Sequence, residues 1–200
     1  DSPITIKESE KDTEHFRKSV KEFLAFEEIS DDDGSVVKAK IRQYRKMRSK
    51  GTDYYDLKYL LNATTAKHFG LKIPPLGDFR AEIGEKGLDF YSSDEGPAIK
   101  QLAEYNNFFH WELEFPEIYF DNNGERKLEP GFDVIIGNPP YQSGQELSEE
   151  VKIYLKGILP NFYNGQNDLH YYFIQKGLEL LKKEGVIEYI VSRYFFEALH

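Results

Sequence analysis

Two short apolar runs, residues 132–136 and 186–191, flank a long stretch of helical pattern, and this order constrains the fold more than any other feature of the chain. The first run, Phe132-Asp133-Val134-Ile135-Ile136, ends at Gly137. A short apolar run of this kind suits a buried strand of a parallel sheet. Between the runs a helix is predicted over 147–157. A longer one is predicted over 168–184, with Leu169, Phe173, Leu178 and Leu181 inward and Lys182-Lys183 complementing its dipole. Gly185 is expected to stop that helix before the second strand. Strand, helices, strand is a crossover unit, which is nearly always right-handed. The second half is therefore expected to be α/β, with ligands bound at the carboxyl ends of its strands.

The first half reads differently. Phe16, Val20, Phe23 and Leu24 recur at helical spacing over 10–29, with Asp12 or Thr13 able to cap the start. Asp31-Asp32-Asp33-Gly34 breaks that helix, and a Lys- and Arg-rich helix is predicted over 35–50. A third spans 54–69, with Leu57, Leu60, Leu61 and Thr64 on one side and Gly70 at its end. Residues 72–97 hold most of the Pro and Gly of this half and read as irregular loop. A short helix follows at 98–107. After Phe108 the period switches to two: His110-Trp111-Glu112-Leu113-Glu114-Phe115 alternates as a strand, and 117–120 continues as extended chain. Asp121-Asn122-Asn123-Gly124 is a hairpin turn by composition. The expected division is a charged, mainly helical region at 1–108 and a second region at 109–200.

Two hundred residues allow one domain or one and a half, and the 40% hydrophobic content is enough for a core. No apolar run approaches the roughly 20 residues needed to cross a bilayer. With no cysteine, a disulfide scaffold and a thiolate metal site are excluded, and a reducing cytoplasm is the expected compartment. The net charge of -9 argues against nucleic-acid binding by the whole surface, while leaving room for a locally lined cleft. The chain opens on Asp1 and stops at His200 just after a strand-like run, as expected of an internal fragment of something longer.

The residues after Gly137 carry the chemistry. Asn138 offers a side-chain carbonyl oxygen as acceptor. Pro139 and Pro140 lack N–H groups and fix φ, which stiffens the turn and presents backbone carbonyls outward. Tyr141 supplies a flat aromatic face. Two acceptors converging on one amino group beside a stacking face describe a pocket for a planar base bearing NH₂. Accepting both N–H bonds favours a pyramidal nitrogen whose lone pair meets an electrophilic methyl. Each hydrogen bond contributes only about 0.5–1.5 kcal/mol net, so orientation outweighs affinity. Stacking on Tyr141 adds about 1–3 kcal/mol, comparable to the cost of flipping a base out of a duplex.

The segment Phe132-Asp133-Val134-Ile135-Ile136-Gly137-Asn138-Pro139-Pro140-Tyr141 resembles motif IV of the gamma-class DNA adenine methyltransferases. Phe108-Phe109-His110-Trp111-Glu112-Leu113-Glu114-Phe115-Pro116-Glu117 resembles the segment just upstream in large type IIG restriction–modification methylases. Residues 167–181 and 185–192 are similar to their motif V helix and motif VI strand. The resemblance implies that the C-terminal half is part of a Rossmann-like methyltransferase sheet that uses S-adenosylmethionine. The N-terminal half is then a mostly α-helical insertion ahead of motif IV. It implies that Asn138 and the Pro139 carbonyl hold the target amine, that Pro140 shapes the turn, and that Tyr141 stacks on an adenine extruded from double-stranded DNA. Asp168 and Phe173 become cofactor-binding candidates, Phe173 beside the adenosine. No Asp-x-Phe-x-Gly-x-Gly loop occurs, and Gly77-Asp78-Phe79 lacks the following glycines. The main cofactor pocket is thus expected upstream of Asp1 and the target-recognition domain beyond His200, both in the same polypeptide. The isolated chain is expected to be inactive.

Rival readings are a protein-glutamine methyltransferase, a ribosomal RNA guanine methyltransferase and a non-catalytic scaffold fragment. The first two are compact and carry the glycine-rich loop shortly before the Asn-Pro-Pro-Tyr turn, which disfavours them here. Lys38, Lys40, Arg42, Arg45, Lys46, Arg48 and Lys50 form a basic segment that suits a solvated helix face better than a phosphate contact. His110, Glu112 and Glu114 share one face of the expected strand, where structural hydrogen bonding outweighs metal binding, so no metal site is expected. Glu125-Arg126-Lys127 matches a nuclease pattern only faintly. Phe195 and Phe196 read as core or interface, with the base pocket a lesser reading, and the Asn62-Ala63-Thr64 glycosylation pattern reads as chance.

Overall fold

The computed structural model describes residues 10–30, 34–75 and 92–193, with side chains from residue 17 onward. The chain divides into two compact units, Asp1–Lys127 and Leu128–His200. The division falls at Lys127, beyond the compositional change near Phe108, because residues 109–127 fold into helical turns that pack with the first unit.

The first unit is helical. Helix α1 (Glu10–Glu27) buries Val20, Phe23 and Phe26, while Leu24 is half-buried. It begins before Asp12 and Thr13, so neither caps it; the side chains of these two and of Phe16 lie outside the described residues. Helix α2 spans Gly34–Met47 and buries no residue at all. Helix α3 (Asp53–His68) starts at Thr52, whose hydroxyl accepts from the Tyr55 N–H at 3.3 Å. Asp53 and Asp56 in its first turn and Lys67 and His68 in its last complement the dipole. Helix α4 (Gly96–Tyr105) opens with Pro97 in its first turn. Ala63 and Ala66 of α3 are small enough to let Ile99 of α4 approach, and with Tyr59 they form a fully buried cluster.

The stretch expected to be extended is two short helices, α5 (Trp111–Glu114) and α6 (Pro116–Tyr119). Trp111 and Phe115, four residues apart, stack at 6.0 Å. Helical spacing joins these rings, and the alternation misled. Glu114 is drawn inward by the Arg48 guanidinium at 2.5 Å and the Tyr54 hydroxyl, which donates to it at 2.6 Å. Burial and that carboxylate together push the Tyr54 phenol far upward. The following turn is as expected: the Asp121 carboxylate accepts from the Asn123 and Glu125 N–H groups at 2.9 Å.

His110 lies 2.7 Å from the Asn62 carbonyl oxygen through Nε2. That oxygen can only accept, so Nε2 carries a proton, and burial favours the neutral form of the ring. Burial, then nearby Lys58, lower its pKa from 6.5 to about 4. The unfolded chain therefore binds more protons between these values, and stability falls as pH drops from 6.5 to about 4. The loss reaches about 3 kcal/mol and levels off below that window. A fall in the amide protection factors of α3 (observed rates divided by the intrinsic rate at each pH) as pH drops through this window, absent in His110→Gln, is the expected result; identical protection profiles would contradict it.

The second unit is α/β. Strand β1 (Phe132–Gly137) pairs in parallel with β2 (Leu181–Tyr189), and helices α7 (Glu149–Ile158) and α8 (Leu169–Leu180) form the crossover. Among the described residues the sheet has these two strands. The second strand begins earlier than expected. Phe132 pairs with Leu181 but Val134 with Val186, so residues 182–185 bulge from the ladder. Lys182 accordingly pairs with Asp133 and does not cap α8.

The inward face of α8 also differs from expectation. His170, Tyr172, Gly177 and Leu180 are buried, whereas Phe173 and Leu178 are exposed. Leu169 is half-buried against the core, and Leu181 belongs to β2. The reason is close packing of helix on strand: a Cβ on Gly177 would collide with Ile187 and come within 2.7 Å of the Tyr189 hydroxyl. This covers one face of the sheet. On the other, Val134, Ile136 and Val186 stay at least half exposed, so β1 is buried on one side only. Leu147, Leu155 and Tyr172 form the core between α7 and α8. Among the described residues no helix is long and apolar enough to cross a membrane.

Candidate functional site

The Asn138-Pro139-Pro140-Tyr141 turn leaves the carboxyl end of β1, where an open parallel sheet presents its ligand site. One residue holds both flanks of this turn. The Ile190 N–H, just past β2, donates to the Gly137 carbonyl at 3.1 Å. Its carbonyl accepts from the Tyr141 hydroxyl at 2.8 Å. The three residues between these anchors are therefore bracketed by the end of the neighbouring strand. Gly137 itself lies against the Tyr189 ring, 3.0 Å from where a Cβ would stand. Burial raises the pKa of that phenol.

Pro139 is buried and fixes the turn, while Asn138, Pro140 and Tyr141 are exposed. Among the described residues nothing hydrogen-bonds the Asn138 side chain. Its amide is free to meet a ligand. The Tyr141 ring is 55% exposed although its hydroxyl is tied down, so an aromatic face is held in place and left open.

The downstream candidates are brought to the same end of the sheet. The Leu169 N–H, at the start of α8, donates to the Gln142 carbonyl at 2.9 Å. Gly144 is buried where a Cβ would run into the Asn167 carbonyl, which keeps the two loops in contact. Asp168 thus stands beside the turn. It occupies the N-cap position of α8, but its half-buried carboxylate makes no capping bond. Phe173 lies one turn further along α8 and is 43% exposed. A carboxylate with no capping bond among the described residues and an open aromatic ring could hold an adenosine, which needs an acceptor for its hydroxyl groups and a surface for its base.

Ile190 and Gly144 escaped the sequence reading. Ile190 acts through its backbone, so no side-chain signal marks it. Gly144 left only the weak signal of a glycine soon after the turn.

Other candidates have structural partners. His110 bonds Asn62, Glu112 pairs with Arg126 at 2.5 Å, and Glu114 is taken by Arg48 and Tyr54. Among the described residues no cluster could hold a metal ion. Glu125 pairs with Arg17, and Lys127 donates to the Glu117 carbonyl. The Asn62 side chain is 3% exposed. Phe195, Phe196 and Gly77-Asp78-Phe79 lie outside the described residues.

The family model described as Eco57I restriction-modification methylase matches residues 6–200. The chain is 39% identical over 105 residues to RM.MjaORFECS2P of Methanocaldococcus jannaschii, covering 52% of the chain and 8% of that protein. It is 42% identical over 69 residues to the type II methyltransferase M.HincII of Haemophilus influenzae, 34% of the chain and 14% of that protein. It is 34% identical over 70 residues to the type II restriction enzyme and methyltransferase RM.Eco57I of Escherichia coli, 33% of the chain and 7% of that protein. The matches thus cover 7 to 14% of these relatives' lengths. No solved structure matches the chain.

Proposed function

Because the chain belongs to the Eco57I restriction-modification methylase family, we propose that the protein transfers a methyl group from S-adenosylmethionine to the exocyclic amino group of adenine in double-stranded DNA. The observation that carries this reading is the bracketed turn: a free Asn138 amide beside a pinned, open Tyr141 ring at the end of a parallel strand. S-adenosylmethionine supplies an electrophilic methyl on a cationic sulfur. The protein's part is to hold the acceptor nitrogen in line with it. Asn138 Oδ1 and the Pro139 carbonyl accept the two N–H bonds, Tyr141 stacks on the flipped base, and Asp168 and Phe173 face the adenosine. Pro140 keeps the backbone rigid between them.

A larger Rossmann-like sheet is part of the same proposal. Its support is the open apolar face of Val134, Ile136 and Val186, since parallel sheets are normally covered on both faces. The gamma-class assignment rests on the resemblance of residues 132–141 to motif IV of that class, and the expected setting is a prokaryotic cytoplasm.

The complete open reading frame, incubated with methyl-labelled S-adenosylmethionine and duplex DNA, is expected to place label on adenine. Label recovered in protein glutamine or in RNA, with none in DNA, would reject the proposal.

A further inference from the structure

Between Gly34 and Lys50 the chain carries seven Lys and Arg residues and no acid, although its net charge is -9. Leaving aside Lys50, the structure sorts the other six cations into two groups. Lys40 donates to the Ile29 carbonyl at 3.0 Å and sits 5.2 Å from the Phe26 ring. Arg48 pairs with Glu114 and lies over the Tyr44 and Tyr54 rings at 4.1 and 4.5 Å. These two fasten α2 to the helical unit. Lys38, Arg42, Arg45 and Lys46 do nothing of the kind. All four are exposed, and among the described residues none makes an ion pair or a side-chain hydrogen bond.

Their spacing is i, i+4, i+7, i+8, which places them on one stripe of the helix, about 12 Å long at 1.5 Å per residue. The arrangement works against the helix, since like charges four apart, as in Lys38 with Arg42 and Arg42 with Lys46, are destabilising. Burial gives little compensation, because α2 has no fully buried residue. A cationic stripe that opposes its own helix and the charge of the whole chain suits a polyanion.

We propose that this face of α2 contacts the phosphate backbone of duplex DNA and anchors it independently of sequence. This rests on the proposed DNA substrate. Duplex DNA carries about one phosphate charge per 1.7 Å of axis, so a stripe of this length lies within reach of several of them. The contacts are electrostatic, and each releases counterions on binding. They add affinity and carry no base readout.

The test uses the protein expressed from the complete open reading frame and a fluorescent duplex, with affinity measured by anisotropy from 50 to 300 mM salt. In Lys38→Gln/Arg42→Gln/Arg45→Gln/Lys46→Gln, Gln keeps the helix propensity of the cations it replaces. The slope of log affinity against log salt should become shallower by about 3, with affinity at 0.1 M salt at least about tenfold weaker. The single variant Arg42→Gln should lose about 0.9 of slope and guards against misfolding of the fourfold one. An unchanged slope in either folded variant, with the wild type still methylating DNA, overturns this surface alone. A wild type that neither binds nor methylates duplex DNA overturns the proposed function and this surface with it.

Discussion

Asn138→Ala is expected to lower methyl transfer to DNA by at least about a hundredfold, the scale on which removal of one preorganised hydrogen-bonding group slows other enzymes. Asn138 is exposed and its side chain is unengaged among the described residues, so folding should barely notice the change, within about 0.5 kcal/mol. Single-turnover transfer from labelled S-adenosylmethionine, read beside a melting curve, separates these effects. Retained transfer would remove Asn138 from its role. Tyr141→Phe is the informative companion. It keeps the stacking ring and deletes the hydroxyl that reaches Ile190. One lost hydrogen bond, about 0.5–1.5 kcal/mol, corresponds to a two- to tenfold fall. A loss as large as that of Asn138→Ala would mean that the tether dominates over the ring.

Gly131→Ala is expected to destabilise the second unit by more than about 3 kcal/mol. Gly131 has φ +126, a region that residues with a side chain avoid. Its added Cβ would stand 2.5 Å from the Lys182 nitrogen and 2.7 Å from the Leu180 oxygen. Both are backbone atoms, placed where α8 hands over to β2, and cannot rotate away. Gly51→Ala isolates the conformational part, because Gly51 has φ +85 with nothing within 4 Å of the new atom. It should cost only about 1 kcal/mol. Soluble yield and amide exchange in β1 and β2 would measure the first, and exchange in α3 the second. Equal effects in the two variants would rule out the backbone collision as the main cause.

The parts of the fold that local chemistry decides were legible. Apart from Asp133, residues 132–136 are aromatic or β-branched, and they end in Gly137, so β1 could be read directly, as could the body of α3 up to Gly70. The Asn-Pro-Pro-Tyr turn was legible for the same reason, since its stiffness is internal to its four residues. What long-range partners decide was not. Glu112 and Glu114 read as hydrogen-bonding positions on one strand face, but their partners, Arg126 and Arg48, and the helical turns that bring them together lie outside the local pattern. The covered face of α8 depends on where Gly177 meets Ile187 and Tyr189, and helical periodicity allows several faces. The start of β2 depends on a bulge, and Lys182-Lys183 resembles a helix end as well as it does a looped strand. Within the candidate site, the exposed Asn138 and Tyr141 could be picked out from the turn, but the Ile190 backbone that brackets them could not.

The clamp has a consequence for biosynthesis. Ile190 follows Tyr141 by 49 residues, and contacts so distant in sequence form slowly because a long loop must close first. At about 5–20 residues per second, the ribosome needs several seconds to make the intervening segment. Until then the Tyr141 ring has no anchor and Gly137 no strand beside it. The nascent chain therefore gains its clamped Asn-Pro-Pro-Tyr turn late, after the helices of the first unit have had time to settle.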